Sequence, residues 1–358
     1  MRVAFISRPT LFTVKGGDTV QMIQTAAALK KRGVHVDIYP ADQSIPYEHY
    51  DLLHFFNIIR PASILRHIKN HEVPFVLSPI YVKYDHYDKS KASLLRRLLA
   101  HVLGFNGMEY VKALARRIKN GENIGSWFYL LRGHKASIKK VLSKCRWLLP
   151  NSESEYTRLC RDYPNEVPYS VVTNGIHAET FDQKTESKKI PGSVLCAARI
   201  EGHKNQLELI RALKGSGYRL RLAGAPAPNH LSYLEVCQKE ADEQVEFLGV
   251  LEGDALLSAY QEAEVHALPS FFETTGLSSL EAAVCGCKLV MSRQGDEYDY
   301  FGEEAFYCDP NDARSIRAAI DKAMQAPYSD TLKNRILQEH QWEHCAEQTL
   351  AVYQNVLK

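Results

Sequence analysis

The stretch Val265-His-Ala-Leu-Pro-Ser-Phe-Phe-Glu-Thr-Thr-Gly-Leu-Ser-Ser-Leu-Glu-Ala282 determines how the rest of the sequence is interpreted. Its first four residues predict a strand, and the residues after the glycine predict a helix that leads to a second apolar run, Lys288-Leu-Val-Met291. A strand, a helix and another strand in this order form a βαβ unit with two parallel strands. The loop of this unit carries Glu273 and Gly276, and its helix carries Glu281.

The two glutamates flank a predicted anion site. Gly276 lets the backbone approach a ligand closely, and Glu281 lies about one turn inside the helix, within reach of hydroxyl groups beside a bound anion. A purely structural interpretation stays open, because a glutamate near a helix start is favourable in itself and Ser-x-x-Glu spacings cap many helices. The amides that would form the anion site, as unpaired donors of a helix N-terminus, are those of Leu277, Ser278 and Ser279.

Strands and helices alternate on both sides of this unit, which predicts two Rossmann-like, doubly wound α/β domains with parallel sheets. We expect an N-terminal domain over residues 1–165 and a C-terminal domain over residues 166–341, followed by a helix at about 342–358. The predicted strands are Val3–Ile6, Val34–Tyr39, Asp51–Phe56, Pro74–Ser78 and Trp147–Pro150 in the first domain, and Val194–Ala197, Tyr218–Leu222, Val245–Leu248, Val265–Leu268 and Lys288–Met291 in the second.

The composition is that of a soluble globular protein, with 45% hydrophobic and 24% charged residues in a chain of 358. That length is too great for one ordinary core and favours two domains. No run of eighteen apolar residues occurs, and the sequence begins with a predicted strand rather than a signal peptide. Eight cysteines without a Cys-x-x-Cys pair favour free thiols in a reducing compartment, so we expect a cytoplasmic protein.

Positive charge is concentrated between residues 83 and 146, where fifteen Lys or Arg accompany four Asp or Glu, although the whole chain has a net charge of only +2. The segment includes amphipathic pieces such as residues 93–103. A basic helix with an apolar face can lie on an anionic membrane, which would make the protein peripheral on the inner face of the membrane. The alternative is an ordinary helix that packs its apolar face on the core. Nucleic acid is not expected as a partner, because no recognised binding module accompanies the charge.

Two cations, Arg199 and Lys204, follow the predicted strand Val194–Ala197. Ligands of open α/β sheets bind beyond the carboxyl ends of the strands, so these cations are placed to neutralise a departing diphosphate. A positioned charge of this kind contributes about 3 kcal/mol to a transition state, by analogy with oxyanion donors. From the spacing alone, two solvated loop cations are the favoured explanation.

Several of these segments resemble one family, the retaining GT-B glycosyltransferases of family 4 (glycosyl transferases group 1). The pair Glu273 and Glu281 resembles the family's Glu-x7-Glu signature, and residues 282–290 resemble its Ala-x-Ala-x-Gly-x-Pro-Val continuation, with Lys288 where proline is usual. Residues 197–205 resemble the family's Arg and Lys motif, and residues 171–181 resemble Pro-Asn-Gly-Val-Asp-x-x-x-Phe.

The resemblance implies two domains that face a cleft, with a nucleotide-sugar donor on the second domain, an acceptor on the first, and a terminal helix that crosses back to the first domain. It implies that Arg199 and Lys204 stabilise the leaving diphosphate, that Glu281 binds the ribose diol, and that Glu273 holds the sugar. The donor would also contact the backbone of Gly16 and Gly17 in the first βα loop, and Asn174 at the domain junction.

No Asp-x-Asp and no His/Cys cluster with ligand spacing occurs, so we expect no dedicated metal site and no cofactor besides the nucleotide sugar. The family's usual histidine on the acceptor side has no clear counterpart; the polar candidates there are Tyr81, Asp85 and His86. His54 matches a recurrent histidine at a strand end, for which a structural role is an equal alternative.

The sequence as a whole favours a retaining, metal-independent glycosyltransferase that acts on a lipid-linked or polysaccharide glycan. Two alternatives stay open: a non-catalytic protein that binds sugar nucleotides, and a nucleotide-sugar epimerase with the same architecture.

Overall fold

The computed structural model describes residues 1–14, 16–69, 71–83, 94–121, 123–183, 188–227 and 229–358, without the side chains of residues 94–100, 119 and 120. The chain forms two compact units. Unit 1 comprises Met1–Asn174 and Trp342–Lys358, and unit 2 comprises Gly175–Gln341.

Residues 166–174 belong to unit 1, whereas the sequence had suggested a division after residue 165. The reason is a set of backbone hydrogen bonds along the edge strand of the first sheet. Leu148 donates to Pro168 at 2.8 Å, and Ser170 donates back to Leu148 at 3.0 Å. Val172 continues this pattern by donating to Pro150.

Unit 1 is built on a parallel five-stranded sheet with the order β2-β1-β3-β4-β5. β3 and β4 are buried along their whole length, as expected of central strands with both faces covered. The order reverses between β1 and β3. The strands are β1 Arg2–Ser7, β2 His35–Pro40, β3 Leu52–Phe56, β4 Phe75–Ser78 and β5 Trp147–Leu148, and the helices are α1 Gly17–Lys31, α2 Pro61–His67, α3 Leu94–Asn120, α4 Trp127–Leu142 and α5 Glu153–Asp162.

The last helix of the chain, α14 (Trp342–Val356), packs in unit 1 against α1, as the resemblance implied. Thr25 and Cys345 meet at 3.4 Å in the buried contact, and two ion pairs, Lys31–Glu343 and Arg32–Glu347, lie at its exposed margin.

Unit 2 is built on a parallel six-stranded sheet with the order β11-β10-β9-β6-β7-β8, which reverses between β6 and β9. Its strands are β6 Ser193–Ala197, β7 Arg219–Ala223, β8 Val245–Gly249, β9 Val265–Leu268, β10 Lys288–Ser292 and β11 Phe306–Cys308. Its helices are α6 Ala178–Phe181, α7 Gln206–Leu213, α8 Leu231–Glu240, α9 Gly253–Glu262, α10 Leu277–Val284, α11 Glu297–Phe301, α12 Ala313–Gln325 and α13 Thr331–Glu339.

The ten strands predicted from the sequence are confirmed to within two residues at each end. β11 was not predicted, because three residues at a sheet edge give too short a pattern to recognise. Across the described ranges, the helices lack the combination of length and apolar character that crossing a bilayer requires.

Candidate functional site

The residues predicted to bind a donor in unit 2 follow two neighbouring strands at the point where the strand order reverses. Arg199 and Lys204 come after β6, and Glu273 and Gly276 come after β9, the strand that pairs with β6. Because ligands of doubly wound sheets bind beyond the carboxyl ends of the strands at such a reversal, these residues lie where unit 2 is expected to bind a ligand.

Lys204 and Glu273 form an ion pair, with 2.5 Å between Nζ and Oε1 and side chains only 17% and 10% exposed. The two loops that carry them are tied together by other contacts. Phe271 donates its amide to the carbonyl of His203 at 2.8 Å, and Asn205 donates its side-chain amide to the carbonyl of Pro269 at 3.1 Å. The pair is therefore held in place by the surrounding backbone.

Arg199 is paired in the same way, with a carboxylate that the sequence analysis did not single out. Its Nη2 lies 3.0 Å from Oε1 of Glu201, and Nε2 of His203 lies 3.3 Å from the same oxygen. Burial raises the pKa of Glu201, while the charges of Arg199 and Lys204 act in the opposite direction. Both predicted cations thus have carboxylate partners in the protein, and each is oriented by its partner.

A second unpredicted carboxylate, Glu297, lies at the start of α11 after β10, the neighbour of β9. It is 1% exposed, and no side chain or backbone group of another described residue is recorded as a hydrogen-bond partner of its carboxyl oxygens. Burial raises its pKa well above the ordinary value, and the charge of Glu273 adds to the shift. The loop before it passes so close to Glu273 that a Cβ on Gly295 would collide with the Glu273 carbonyl oxygen. Gly295 followed by two acidic residues, Asp296 and Glu297, shortly after a strand is the sequence signal that could have revealed Glu297.

The helix α10 begins directly after Gly276, whose φ of 68° is in the left-handed region that favours glycine. Of the three predicted anion-binding amides, that of Ser279 is already used, since it donates to the Gly276 carbonyl at 2.8 Å. The Ser279 hydroxyl also lies 3.4 Å from Nδ1 of His266. The amides of Leu277 and Ser278 are in the first turn, which has no acceptor within the helix. An anion at this terminus would therefore bind chiefly to those two.

Glu281 lies in the middle of α10 and accepts a hydrogen bond of 2.8 Å from the hydroxyl of Tyr260, a fully buried residue of α9. Burial raises the pKa of Glu281 to about 7, and the bond from Tyr260 partly offsets this. Tyr260 is twenty-one residues away in the sequence, so no local motif could have identified it as the partner. The carboxyl is consequently poised to change its charge near neutral pH.

The other three residues predicted on the donor side belong to unit 1. Gly16 is the residue before α1, and its amide donates to the Thr19 hydroxyl at 3.2 Å. Gly17 is the first residue of α1. The Arg8 guanidinium donates to the carbonyls of Thr10 and Val14 in the loop before them, and its Nε lies 2.7 Å from Oδ2 of Asp18. Asn174, the last residue of unit 1, is buried.

Of the acceptor-side candidates, only Tyr81 lies among the described residues. Tyr81 is fully buried, and its hydroxyl donates to Asp162 at 2.8 Å, which places it in the core rather than on a binding surface. Asp85 and His86 lie outside the described residues. His54 has a structural role: its Nδ1 lies 2.6 Å from the Tyr353 hydroxyl, its Nε2 lies 2.9 Å from the Ser78 hydroxyl, and burial lowers its pKa to about 3.

No group of three or more His, Cys, Asp or Glu side chains suited to a metal ion is found within the described parts of the chain. This observation does not test whether the reaction needs a metal ion, so the expectation of a metal-independent site stays a prediction.

Comparison with known proteins agrees with the motifs. Residues 177–341 match the family model described as "Glycosyl transferases group 1". The glycogen synthase of Mycobacterium tuberculosis is 26% identical over 203 residues, which are 53% of this chain and 49% of the relative. The chain thus spans about half the length of this curated relative. This match agrees with the predicted family over nearly all of unit 2, and the narrower assignment to family 4 stays a prediction.

Solved structures resemble the whole chain. The sucrose-phosphate synthase of Thermosynechococcus elongatus superposes with a TM-score of 0.75 at 17% identity, over 99% of both chains. HepE of Anabaena, in complex with UDP-glucose, superposes with a TM-score of 0.71 at 14% identity, over 99% of this chain and all of HepE. These similarities confirm the predicted fold class, two Rossmann-like domains of the GT-B type.

Proposed function

We propose that the protein transfers a glycosyl group from a nucleotide sugar to a glycan acceptor, because residues 177–341 match the family model described as Glycosyl transferases group 1. We further propose that transfer retains the anomeric configuration and needs no protein-bound metal ion. The observation that best supports this proposal is the Lys204–Glu273 ion pair. The pair lies where the strand order of unit 2 reverses, just before the helix α10 that contains Glu281. The complex of HepE with UDP-glucose, a nucleotide sugar, supports this donor class.

In this proposal the diphosphate lies against the cations and the start of α10. Lys204 and Arg199 neutralise the charge that develops as the bond between the anomeric carbon and the phosphate oxygen breaks, and the amides of Leu277 and Ser278 add two donors. Because both cations are already oriented by carboxylates, they need little reorganisation when the diphosphate departs.

The two glutamates of the signature bind opposite ends of the donor. Glu281, in its ionised form, accepts hydrogen bonds from the ribose diol. Glu273 holds hydroxyl groups of the transferred sugar and stabilises positive charge at the anomeric carbon. The buried carboxyl of Glu297 lies close to Glu273 and, when protonated, avoids a second negative charge there. Gly16, Gly17 and Asn174 of unit 1 are proposed as further donor-binding residues.

The acceptor is proposed to be a polysaccharide or lipid-linked glycan, a class supported by the name of the glycogen synthase relative. Peripheral membrane attachment through residues 83–146 is part of the same proposal. It is supported by large apolar side chains on α3 and α4 that are at least 77% exposed, namely Val102, Ile118, Trp127 and Leu131. A blue shift of Trp127 fluorescence with anionic vesicles, absent with neutral vesicles, would support attachment; no shift with either would contradict it.

A thermal-shift panel of nucleotide sugars tests the proposed function. Saturation at one hundred times Kd stabilises the folded protein by about 2.7 kcal/mol, so the correct donor should stand out from the rest. The variant Lys204→Gln should lose this shift, whereas Lys214→Gln, which alters an exposed ion pair on the same unit, should keep it. Donor that is isomerised without transfer would indicate an epimerase instead.

A further inference from the structure

The segment before β6 places a lysine ammonium between the ends of two helices of unit 2. The Nζ of Lys189 donates to the carbonyl of Cys285, the residue after α10, at 2.9 Å. It also donates to the carbonyl of Ala263, the residue after α9, at 2.8 Å, and to the carbonyl of Tyr260 in the last turn of α9 at 3.3 Å. All three donors of the ammonium are therefore used to join the C-terminal ends of α9 and α10.

The position of this cation suits both helices. The last carbonyls of a helix have no donor within the helix and form the negative end of its dipole, so a cation there is stabilising. One ammonium serves two helix ends here, which also fixes the separation of these ends. The backbone that carries it is attached to the same place, because the amide of Ile190 donates to the carbonyl of Glu262, the last residue of α9, at 2.8 Å.

A buried thiol adds a second contact between the two ends. Cys287, which leads from α10 into β10, donates from Sγ to the carbonyl of Tyr260 at 3.0 Å and lies 3.3 Å from the carbonyl of Ala263. The carbonyl of Tyr260 thus accepts from both Lys189 and Cys287. The backbone of Tyr260 is in this way held directly, and not only as part of α9.

The two helices joined in this way carry the hydrogen bond between Tyr260 and Glu281. The hydroxyl of Tyr260 lies 2.8 Å from Oε2 of Glu281, and none of the described residues donates to Oε1. Because the Tyr260 side chain is fully buried, its hydroxyl moves with α9. A relative movement of the helices by about 1 Å would take the bond beyond the usual range of about 2.5–3.0 Å for O–H···O hydrogen bonds.

We propose that Lys189 is a positioning residue for the nucleotide site. By joining the ends of α9 and α10 it keeps the Tyr260 hydroxyl on Oε2 of Glu281, and the carboxylate is thereby held with Oε1 available to the ribose diol. The inference rests on the proposed role of Glu281 in donor binding. Lys189 acts through Tyr260 rather than by touching the donor, since three carbonyls already engage its ammonium.

Titration calorimetry at pH 8, with a nucleotide sugar that gives a thermal shift, tests this. Lys189→Met keeps the apolar stem and removes the ammonium, and it should weaken donor binding about threefold or more. Tyr260→Phe should weaken it at least as much. Lys189→Met added to Tyr260→Phe should change the affinity by less than about twofold further, because the hydrogen bond through which Lys189 acts is already absent.

Lys288→Met is the matched control, because the Nζ of Lys288 also donates to helix-end carbonyls, those of Ala326 at 2.7 Å and Met324 at 3.3 Å. These carbonyls belong to the end of α12, which carries neither Tyr260 nor Glu281. Both lysine variants should lower the unfolding free energy in urea, whereas Lys288→Met should change donor affinity by less than about twofold. An equal loss of affinity in Lys288→Met, or additive losses in the double variant, would overturn the proposal.

A measurement without ligand separates this inference from the proposed function. In protein with 13C-labelled tyrosine rings, the Tyr260 resonance is identified by its absence from Tyr260→Phe. It should move in Glu281→Gln and in Lys189→Met but not in Lys288→Met. An unmoved resonance in Lys189→Met, or a moved one with unchanged donor affinity, would overturn the positioning role. If the wild type binds no nucleotide sugar, the glycosyl-transfer proposal fails, and the resonance alone then supports or overturns the contact of Lys189 with Glu281 through Tyr260.

Discussion

The ionisation of Glu281 should make donor binding depend on pH near neutrality. Its carboxyl is shielded in α10, and burial raises its pKa to about 7, while the Tyr260 hydroxyl donates a hydrogen bond to it. A ribose diol donates hydrogen bonds best to an ionised carboxylate. Free protein must therefore lose a proton from Glu281 before it binds the nucleotide in this way.

The size of the effect follows from that pKa. At pH 8 roughly nine-tenths of a group with a pKa of about 7 is ionised, and at pH 6 roughly one-tenth is ionised. Donor affinity should therefore fall roughly tenfold from pH 8 to pH 6, or about 1.4 kcal/mol. Nucleotide sugars suit this test because their diphosphate is esterified at both ends and does not titrate in this range.

The variant Glu281→Gln should weaken donor binding at pH 8 by about 1.5–3 kcal/mol, the range for hydrogen bonds to charged groups, and should remove the pH dependence. Titration calorimetry at pH 6, 7 and 8 measures both effects. An equal pH dependence in Glu281→Gln and the wild type, or an unchanged affinity at pH 8, would refute the ribose role.

The same pKa shift has a consequence for stability without ligand. Between about pH 4.5 and pH 7 the folded protein holds the Glu281 proton more tightly than the unfolded chain does. The stabilisation is complete below about pH 4.5 and is lost as the pH rises through about 7. The unfolding free energy of the wild type minus that of Glu281→Gln, measured in urea, should therefore fall as the pH rises from about 4.5 to about 7.

Three further perturbations test the account. Lys204→Gln should lower the unfolding free energy in urea by about 1–3 kcal/mol at pH 7, because it leaves the largely buried Glu273 carboxylate without its cation, and an unchanged value would contradict the ion pair. Gly276→Ala should destabilise the fold by about 1–2 kcal/mol, because alanine is strained at a φ of 68°, and it should also weaken donor binding. Gly215→Ala, at a φ of 65° in a loop of the same unit, should lower the stability by a similar amount and leave donor binding unchanged. His54→Asn should reduce the loss of stability between pH 6.5 and about 3, since the buried imidazole stays neutral in the folded state while it gains a proton in the unfolded state; identical pH profiles would contradict this.

The order of strands and helices could be predicted from the sequence because parallel strands buried on both faces give short apolar runs that are easy to recognise. The spacing Ser152-x-x-Glu155 is typical of a helix start and is an example of a local signal: the Glu155 amide donates to the Ser152 hydroxyl at 3.0 Å. Its carboxylate, however, bonds to the amides of Asn151 and Tyr81. That second contact joins residues seventy-four positions apart, and no motif encodes it.

The candidate site shows the same division between local and distant contacts. The spacing of Glu273, Gly276 and Glu281 predicted a loop, a helix start and a carboxyl inside the helix, all of which are local features. Their neighbours Tyr260 and Glu297 come from other elements of unit 2 and depend on how the sheet brings them together. Tyr81 was considered as an acceptor-side residue because it is polar, but it is fully buried and its hydroxyl donates to Asp162, eighty-one positions away in the sequence, a distant contact that no motif encodes.

The central claim is transfer from a nucleotide sugar with retained configuration, and proton NMR of the reaction tests it most directly. Each nucleotide sugar that gives a thermal shift is incubated with the protein and with a panel of glycan acceptors, and the anomeric configuration of the new glycosidic bond is read from its proton coupling. We predict release of nucleoside diphosphate and a new glycosidic bond with the anomeric configuration of the donor, and no release by Lys204→Gln. An inverted configuration, release at equal rate by Lys204→Gln, or no release from any bound donor would contradict the account.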